Sequence, residues 1–391
     1  MKKQVDHLNM VAKTMSGLEE LLSQELDKIG AKNITILNRA VAFTGTFEIL
    51  YRANYQCRLA LRILINLATF NVKDEKDLYV GVGKINWRKY LTVEGTLAVD
   101  AITSDSVFNN SMYVGLKTKD AIVDQFRRIY DKRPSVDTKH PDLRVNVRVS
   151  GNECTISVDS SGDSLHHRGY RNYADKAPIN EVLAAGLIAH SGYKGQCHFV
   201  DPMCGSGTLL VEAAMVAMNM PSGYYRKEFG FEFWKNFKSK LWDRIRNESD
   251  AEIRDFDYEI VGGDSSKKAI SIAKDNIKFA RLHKDIELRH TPMEDIKPPK
   301  GPGIVVTNPP YGERLEEDDL LSLYHDLGDS FKSNFIDYSA FVISSNIEAL
   351  KNIGLKATQR IPVFNGPLEC RIYRFDIYSG SKKGINSEEI D

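Results

Sequence analysis

The chain has 391 residues, too many for one ordinary domain, so we expect two or three. Apolar residues make up 42% and charged residues 27% of it, and 53 basic residues balance 53 acidic ones, so nucleic-acid binding must come from local charge clusters rather than a bulk field. No apolar run reaches membrane-spanning length, and polar residues follow the opening Met-Lys-Lys, which predicts a cytoplasmic protein with no signal peptide and no membrane contact.

Residues 1–48 predict a small α+β domain. Ser16 is a candidate helix N-cap, Glu19 stands three residues later as in a capping box, and Gly30 ends the helix. The predicted elements are a strand at 8–12, a helix from 16 to 29, and strands at 33–37 and 40–45. A second helix is predicted near 48–62.

Residues 49–160 predict a second α+β module. Strict alternation over 144–149 and 155–159, around a turn at 150–153, indicates a β-hairpin. Nine basic and five acidic residues fall within 117–148, and Lys132-Arg133-Pro134 predicts an exposed basic turn. Two readings of this charge stay open: a face that contacts phosphates, or a solvated helix with local ion pairs.

Residues 161–176 predict a linker, and 165–173 hold two histidines, two arginines and two tyrosines. Adjacent His166 and His167 do not share a face of regular structure, and the five scattered cysteines form no C-x-x-C pair. We therefore expect no metal site and no disulfide framework.

Residues 177–383 alternate between strands and helices, which predicts a largely parallel sheet ending in an antiparallel edge hairpin, with a polar tail at 384–391. Predicted strands run over 197–201, 258–264, 286–289 and 303–306. An aromatic-rich insertion at 221–257 could stack bases, but aromatic residues at helical spacing favour core or lid packing.

Two of these strands end in an acid, Asp201 and Asp264. Ligands bind outside the carboxyl ends of strands in open α/β sheets, where an acid accepts hydrogen bonds from ribose hydroxyls. The turn after Asp201 carries Gly205 and Gly207 but lacks the G-K-[ST] of a phosphate-binding loop.

A third strand runs into Asn308-Pro309-Pro310-Tyr311. Proline cannot donate to a sheet ladder, so the strand ends there and Asn308 is held extended. An amide, proline carbonyls and an aromatic ring together suit a flat ligand that bears an amino group.

In this order, the two acids, the glycine turn and Asn-Pro-Pro-Tyr resemble the S-adenosylmethionine-dependent amino-methyltransferases. Over about residues 5–380 the chain is similar to the RNA guanine-N2 methyltransferases that carry a THUMP domain, most of all those acting on bacterial 23S rRNA. The stretches that carry this likeness are 17–22, 145–147, 165–171, 201–208, 308–314 and 365–370.

The resemblance implies a Rossmann-like α/β methyltransferase domain after a ferredoxin-like part and a THUMP RNA-binding domain, with S-adenosyl-L-methionine as cofactor and 23S rRNA as partner. The implied cofactor-binding residues are Asp201, Pro202, Met203, Cys204, Gly205, Ser206, Gly207, Thr208, Asp264, Ser265, Asp295 and Asn308. We expect RNA contacts at Lys132, Arg133, Arg168, Arg171 and Arg314. The family's third strand usually ends in an acid near the adenine, whereas here Thr291 or Pro292 takes that place, with Glu294 and Asp295 just beyond it.

The implied catalytic set is Asn308, Pro309, Pro310 and Tyr311, which would hold the N2 amine of a flipped guanine. Three alternatives stay open: a THUMP-type tRNA guanine-N2 methyltransferase, an adenine-N6 methyltransferase on RNA or DNA, and a non-catalytic RNA-binding ribosome-assembly factor.

Overall fold

The computed structural model describes residues 7–171, 178–311 and 316–378. The predicted tail at 384–391, Arg314 and most of the predicted linker's second half lie outside them. The chain divides into two compact units: the first comprises Met1–Gly169 and Pro221–Glu252, and the second Tyr170–Met220 and Ile253–Asp391. Most of the aromatic insertion thus belongs to the first unit, although its chain departs from the second.

The first unit is built on an eight-stranded sheet in the order β2-β3-β1-β4-β8-β7-β5-β6. Its strands are β1 (Leu8–Lys13), β2 (Lys32–Leu37), β3 (Ala40–Gly45), β4 (Arg62–Asn71), β5 (Thr96–Ser104), β6 (Ser135–Val136), β7 (Leu143–Ser150) and β8 (Glu153–Asp159). Its described helices are α1 (Glu19–Lys28), α2 (Phe47–Gln56), α3 (Glu75–Gly83), α4 (Ser111–Tyr130) and, from the insertion, α7 (Ser239–Asp250).

Two predictions for this unit are wrong. Ser16 does not cap α1, whose N-cap is Leu18; the Glu19 carboxylate instead accepts hydrogen bonds from the amides of Gly17 (2.7 Å) and Arg39 (3.0 Å). The second helix ends at Gln56 rather than near residue 62, because the amides of Arg58 and Leu59 donate to the Glu25 carboxylate instead of continuing the helix.

Most of the large aromatic side chains of the insertion are buried in a core, as the sequence favoured, whereas Tyr224 and Phe233 are exposed. The Phe231 ring lies 4.3 Å from that of Tyr51, measured between centroids, and Trp242 meets Tyr55 edge to face at 5.3 Å. Phe231 and Trp242 are both buried. These rings join α7 to α2, so the insertion completes the core of the first unit.

The second unit is built on a seven-stranded sheet in the order β11-β10-β9-β12-β13-β15-β14. Its strands are β9 (His198–Asp201), β10 (Ile260–Asp264), β11 (Ile286–His290), β12 (Gly303–Thr307), β13 (Tyr338–Ser344), β14 (Gln359–Asn365) and β15 (Leu368–Asp376). Its described helices are α5 (Glu181–Ser191), α6 (Thr208–Ala217), α8 (Lys267–Phe279), α9 (Glu317–Asn334) and α10 (Ile347–Asn352).

The predicted sheet architecture of this unit is confirmed. Five strands, in the spatial order β11, β10, β9, β12 and β13, are parallel to their neighbours. Strands β14 and β15 form an antiparallel hairpin at one edge. One core cluster joins Leu320, Tyr324 and Phe331 of α9 to Val200 and Val305 of the sheet. The strands therefore end at a common edge above a buried apolar core.

Gly328 of α9 is required by close packing against the end of α10. A Cβ at this position would lie 1.9 Å from the carbonyl oxygen of Ile353, a backbone atom that cannot swing away. We expect Gly328→Ala to lower the free energy of unfolding by about 2–3 kcal/mol. Urea unfolding measured by circular dichroism tests this, with exposed Asp326→Ala on the same helix as the control. Equal midpoints for the two variants would contradict the packing argument.

Candidate functional site

Three predicted site residues converge where the strand order reverses. Strand β9, ending at Asp201, lies between β10, ending at Asp264, and β12, which runs into Asn308. Both neighbours are parallel to β9, with Asp201 opposite Gly262 and Val200 opposite Val305. The loops that follow all three strands therefore leave at one edge, the place where α/β sheets bind ligands.

A hydrogen bond fastens the glycine turn after β9 to the end of β10. The Gly205 amide donates to Asp264 Oδ2 at 3.0 Å, and the Ser266 amide donates to Asp264 Oδ1 at 2.9 Å. The Cys204 amide also donates to the Gly263 carbonyl at 2.8 Å. Asp264 therefore fixes the shape of the turn.

The two glycines of this turn form a cradle that suits a ligand. Gly205 (φ +51°) and Gly207 (φ +80°) both have left-handed backbones, which glycine adopts without strain. A Cβ on Gly205 would meet no described atom within 4 Å, whereas one on Gly207 would lie 3.3 Å from the Ala273 Cβ. The backbone of Gly205 can thus approach a bound group closely, while Gly207 lets α6 approach α8.

Asp201 is a buried carboxyl group with no cation beside it among the described residues. Its exposed fraction is 1%, and burial raises its pKa to about 7, although the Met203 amide donates to its Oδ1 at 3.2 Å. A carboxylate in this environment gains stability from a ligand that brings positive charge or hydrogen-bond donors.

The Asn308 side chain presents an unused acceptor. Asn308 is half-buried, and its Oδ1 is buried yet accepts no hydrogen bond from the described residues. Buried polar atoms are rarely left without a partner, so an orphan of this kind indicates a ligand donor. Pro309 is buried, and the carbonyl of Pro310 accepts a 3.4 Å hydrogen bond from Tyr324.

The remaining predicted cofactor residues surround this edge. Pro202 and Cys204 are buried, and Thr208 begins α6. The Ser206 carbonyl accepts a hydrogen bond from Asn276 of α8 at 3.1 Å. Ser265 and Asp295 are exposed; Asp295 ends a 3₁₀ turn, Met293–Asp295, that follows β11. The end of β11 is His290, which pairs with Asp264.

The predicted RNA contacts separate into two groups. Lys132 and Arg133 are exposed on the turn after α4, and no described carboxylate lies within 4 Å of either. Several other cations counted on this module are paired: Arg144 with Asp100 at 3.0 Å, and Arg127 with Asp124 at 2.8 Å. Lys132 and Arg133 therefore remain candidates, and Arg314 falls in the undescribed stretch at 312–315.

The structure does not favour the other two predicted RNA contacts. Arg168 is 1% exposed, and its guanidinium donates to the carbonyls of Leu165 and Arg58, so we withdraw it as an RNA contact. Arg171 donates to Thr208 Oγ1 at 2.8 Å and to the Ile179 carbonyl at 2.9 Å. It supports the glycine turn and the start of α5, a role that sequence reasoning missed.

Sequence reasoning also missed the contact between Tyr311 and Asn365. Asn365 Nδ2 donates to the Tyr311 hydroxyl at 2.8 Å, across 54 positions of the chain.

Across the described ranges, no helix is long and apolar enough to cross a membrane, and no cluster of three or more histidine, cysteine or acidic side chains is arranged to hold a metal ion.

Three family profiles match the chain. The profile of the RMKL-like methyltransferase domain matches residues 168–374, that of the THUMP domain matches 72–159, and that of the RlmL ferredoxin-like domain matches 9–64.

Known proteins match nearly the whole chain. It is 38% identical over 95% of its length to a ribosomal RNA large subunit methyltransferase K/L of Syntrophotalea carbinolica, of which it covers 54%. It is 36% identical over 93% of its length to a Synechocystis protein named "putative RNA methyltransferase", of which it covers 95%. A crystal structure of a "putative methyltransferase complexed with SAH" is 30% identical, with a TM-score of 0.88 over 97% of this chain and 100% of that one. The chain therefore spans about half the length of the K/L relatives it matches.

The raised pKa of Asp201 predicts a pH-dependent stability. The folded state retains the proton up to about pH 7, whereas the unfolded chain releases it near pH 4, so the free energy of unfolding falls as pH rises through this window. Asp201→Asn keeps the acceptor for Met203 but cannot ionise. We expect the variant to become more stable than the wild type by an increasing margin, measured as the free energy of unfolding, as the pH rises from 4 to 7. Parallel pH profiles from chemical denaturation would contradict the buried-acid assignment.

Proposed function

The chain belongs to the RMKL-like methyltransferase family, and from this premise we propose that it methylates the exocyclic N2 amine of a guanine in 23S rRNA, using S-adenosyl-L-methionine. Membership confirms the predicted fold class, a Rossmann-like methyltransferase domain with ferredoxin-like and THUMP regions before it. The observation that carries the proposal is the Asn308 Oδ1, which accepts no hydrogen bond from the described residues and lies beside the ends of β9 and β10.

The cofactor pocket is proposed from the fit of the described residues. The Gly205–Thr208 turn and Asp201 would hold the methionine part, Asp264 and Ser265 the ribose, and Asp295 the adenine. The buried Asp201 carboxyl suits an amino group, and the open cradle at Gly205 suits close backbone approach. The relative crystallised with SAH supports this choice of cofactor.

Bound S-adenosylmethionine supplies an electrophilic methyl group on a sulfonium, so the protein's task is to orient the amine. Asn308 Oδ1 and the Pro309 carbonyl would accept the two amine hydrogens and direct the nitrogen lone pair toward the methyl group. The same two oxygens would stabilise the positive charge that develops on the nitrogen. The Tyr311 ring would stack on the target base, which would be flipped out of the stacked bases of the RNA.

The first unit would bind the RNA. Lys132 and Arg133 would contact phosphates, and Arg314, next to the amine-binding motif, would contact RNA near the target base. The THUMP match and the names of the relatives support RNA as the partner.

One experiment separates the proposed substrate from its alternatives. The protein is incubated with labelled S-adenosylmethionine and undermethylated 23S rRNA, tRNA or DNA, and the modified nucleoside is identified after digestion. We expect N2-methylguanosine in 23S rRNA. Label in tRNA or on adenine N6 would overturn the substrate assignment, and no label with RNA that the protein still binds would favour the assembly-factor alternative.

Removal of the Asn308 amide should abolish methylation without loss of the cofactor. We expect Asn308→Ala to lower kcat by about a hundredfold or more, because it loses an acceptor aimed at developing charge. The dissociation constant for S-adenosylmethionine, measured by calorimetry, should stay within severalfold. Asn352→Ala, an exposed change in the same unit, is the matched control. Turnover near the wild-type rate in Asn308→Ala would refute the proposed role.

The RNA-binding role is best tested by point variants. Deleting the amino-terminal residues would expose the aromatic insertion that packs against α2. We expect Lys132→Glu with Arg133→Glu to weaken RNA binding and to reduce the slope of log K against log salt by roughly 1.5–2, the loss of two phosphate contacts.

The matched control for this variant is Lys28→Glu with Lys32→Glu, which makes the same change of charge at exposed sites elsewhere in the unit. An unchanged slope in the Lys132/Arg133 variant, or an equal loss in the control, would contradict a local phosphate contact.

A further inference from the structure

The turn of the β14–β15 hairpin lies at the catalytic edge of the sheet. Strand β15 is antiparallel to β13, and its residue Arg371 pairs with Ser344, the last residue of β13. The hairpin turn, which precedes Arg371, therefore lies at the edge where the parallel strands end. Asn308 follows β12 at that same edge, since β12 is the parallel neighbour of β13.

The motif after β12 depends on side chains from other elements to hold its shape. Pro309 and Pro310 have no N–H group, so neither can donate a backbone hydrogen bond to anchor the loop. The buried Tyr324 hydroxyl instead donates to the Pro310 carbonyl at 3.4 Å and contacts Ser344 Oγ at 2.8 Å. This supports the loop from α9, on one side.

The hairpin supports the loop through Tyr311. Asn365 Nδ2 donates to the Tyr311 hydroxyl at 2.8 Å. Burial raises the pKa of the Cys370 thiol, and a hydrogen bond with the Tyr311 hydroxyl opposes that rise. Asn365 ends β14, and Cys370 lies on β15 opposite Val363. Both strands of the hairpin thus hold the phenol oxygen.

The Asn365 amide is not needed to form the hairpin turn itself. Gly366 supplies the left-handed backbone of the turn (φ +63°), and the ladder pairs Asn365 with Leu368 through the backbone. The side-chain amide is therefore available for Tyr311. Because the hydroxyl is engaged by the hairpin, the part of Tyr311 left to meet a substrate is its ring.

We propose that Asn365 is a positioning residue that sets the orientation of the Tyr311 ring against the base being methylated. This rests on the proposed function, in which Tyr311 stacks on a flipped base. A ring that pivots about its Cα would leave the base, and with it the amine, out of line with the methyl group. Misplacement of reacting atoms by about 1 Å can cost a hundredfold in rate.

A double-mutant cycle tests the proposal. Asn365→Ala removes the hydrogen bond from Asn365, whereas Tyr311→Phe removes that bond together with the contact to Cys370. Asn365→Ala should therefore lower kcat at saturating RNA by about tenfold, Tyr311→Phe by at least as much, and the double variant by no more than Tyr311→Phe alone. Dissociation constants for RNA and S-adenosylmethionine should stay within twofold, since phosphate contacts supply most of the RNA affinity. Gln359→Ala, at the far end of the same hairpin, should keep the wild-type kcat.

The outcomes are distinguishable. Additive losses in the double variant, or a wild-type kcat in Asn365→Ala, would overturn the positioning role. Should Asn365→Ala fail to fold, as judged by its thermal unfolding midpoint, Tyr311→Phe leaves the hairpin intact, and a wild-type kcat in that variant alone would overturn the proposal. If the wild type methylates a different base or nucleic acid, the guanine assignment fails while the cycle can still be measured on that substrate.

Discussion

The site depends on strand β9 standing between two parallel strands that both come later in the chain. Because all three strands run the same way, their following loops meet at one edge, and because the order reverses at β9, those loops diverge and leave a crevice. This arrangement brings the Gly205 amide within 3.0 Å of the Asp264 carboxylate, to which it donates. A shift of β9 by one residue would turn Asp201 to the opposite face of the sheet and remove it from the site.

Asp201 and Asn308 each place a buried oxygen atom in this crevice that can accept a hydrogen bond from a ligand. The Asp201 carboxyl is buried without a described cation, and the Asn308 oxygen is buried without a described donor. Folding alone gains little from either arrangement, since burying a carboxyl group without a cation, or an amide oxygen without a donor, costs free energy. Both become favourable when a ligand supplies hydrogen-bond donors, as the amino group of S-adenosylmethionine and the amine of a nucleobase would in the proposed function.

The sequence predicted the centre of the candidate site but not its supports. Strand ends are local features, so the acid after β9, the acid after β10 and the prolines after β12 identify Asp201, Asp264 and Asn308 without knowledge of the fold. Arg168 and Arg171 have the same chemistry and neighbouring positions, yet one is buried against carbonyls of its own unit and the other braces Thr208. Asn365 is joined to Tyr311 by sheet topology alone, which no local pattern encodes.

The insertion has a consequence for synthesis on the ribosome. Helix α2 emerges early, yet Tyr55 donates to Asp250 at 2.6 Å, a partner that lies 195 residues further along the chain. At about 5–20 residues per second, that partner is made roughly 10 to 40 s later. During this interval the apolar face of α2 lacks the rings of Phe231 and Trp242 that cover it in the finished protein. The unit whose synthesis begins first therefore completes its core only after the first strand of the other unit has already been made.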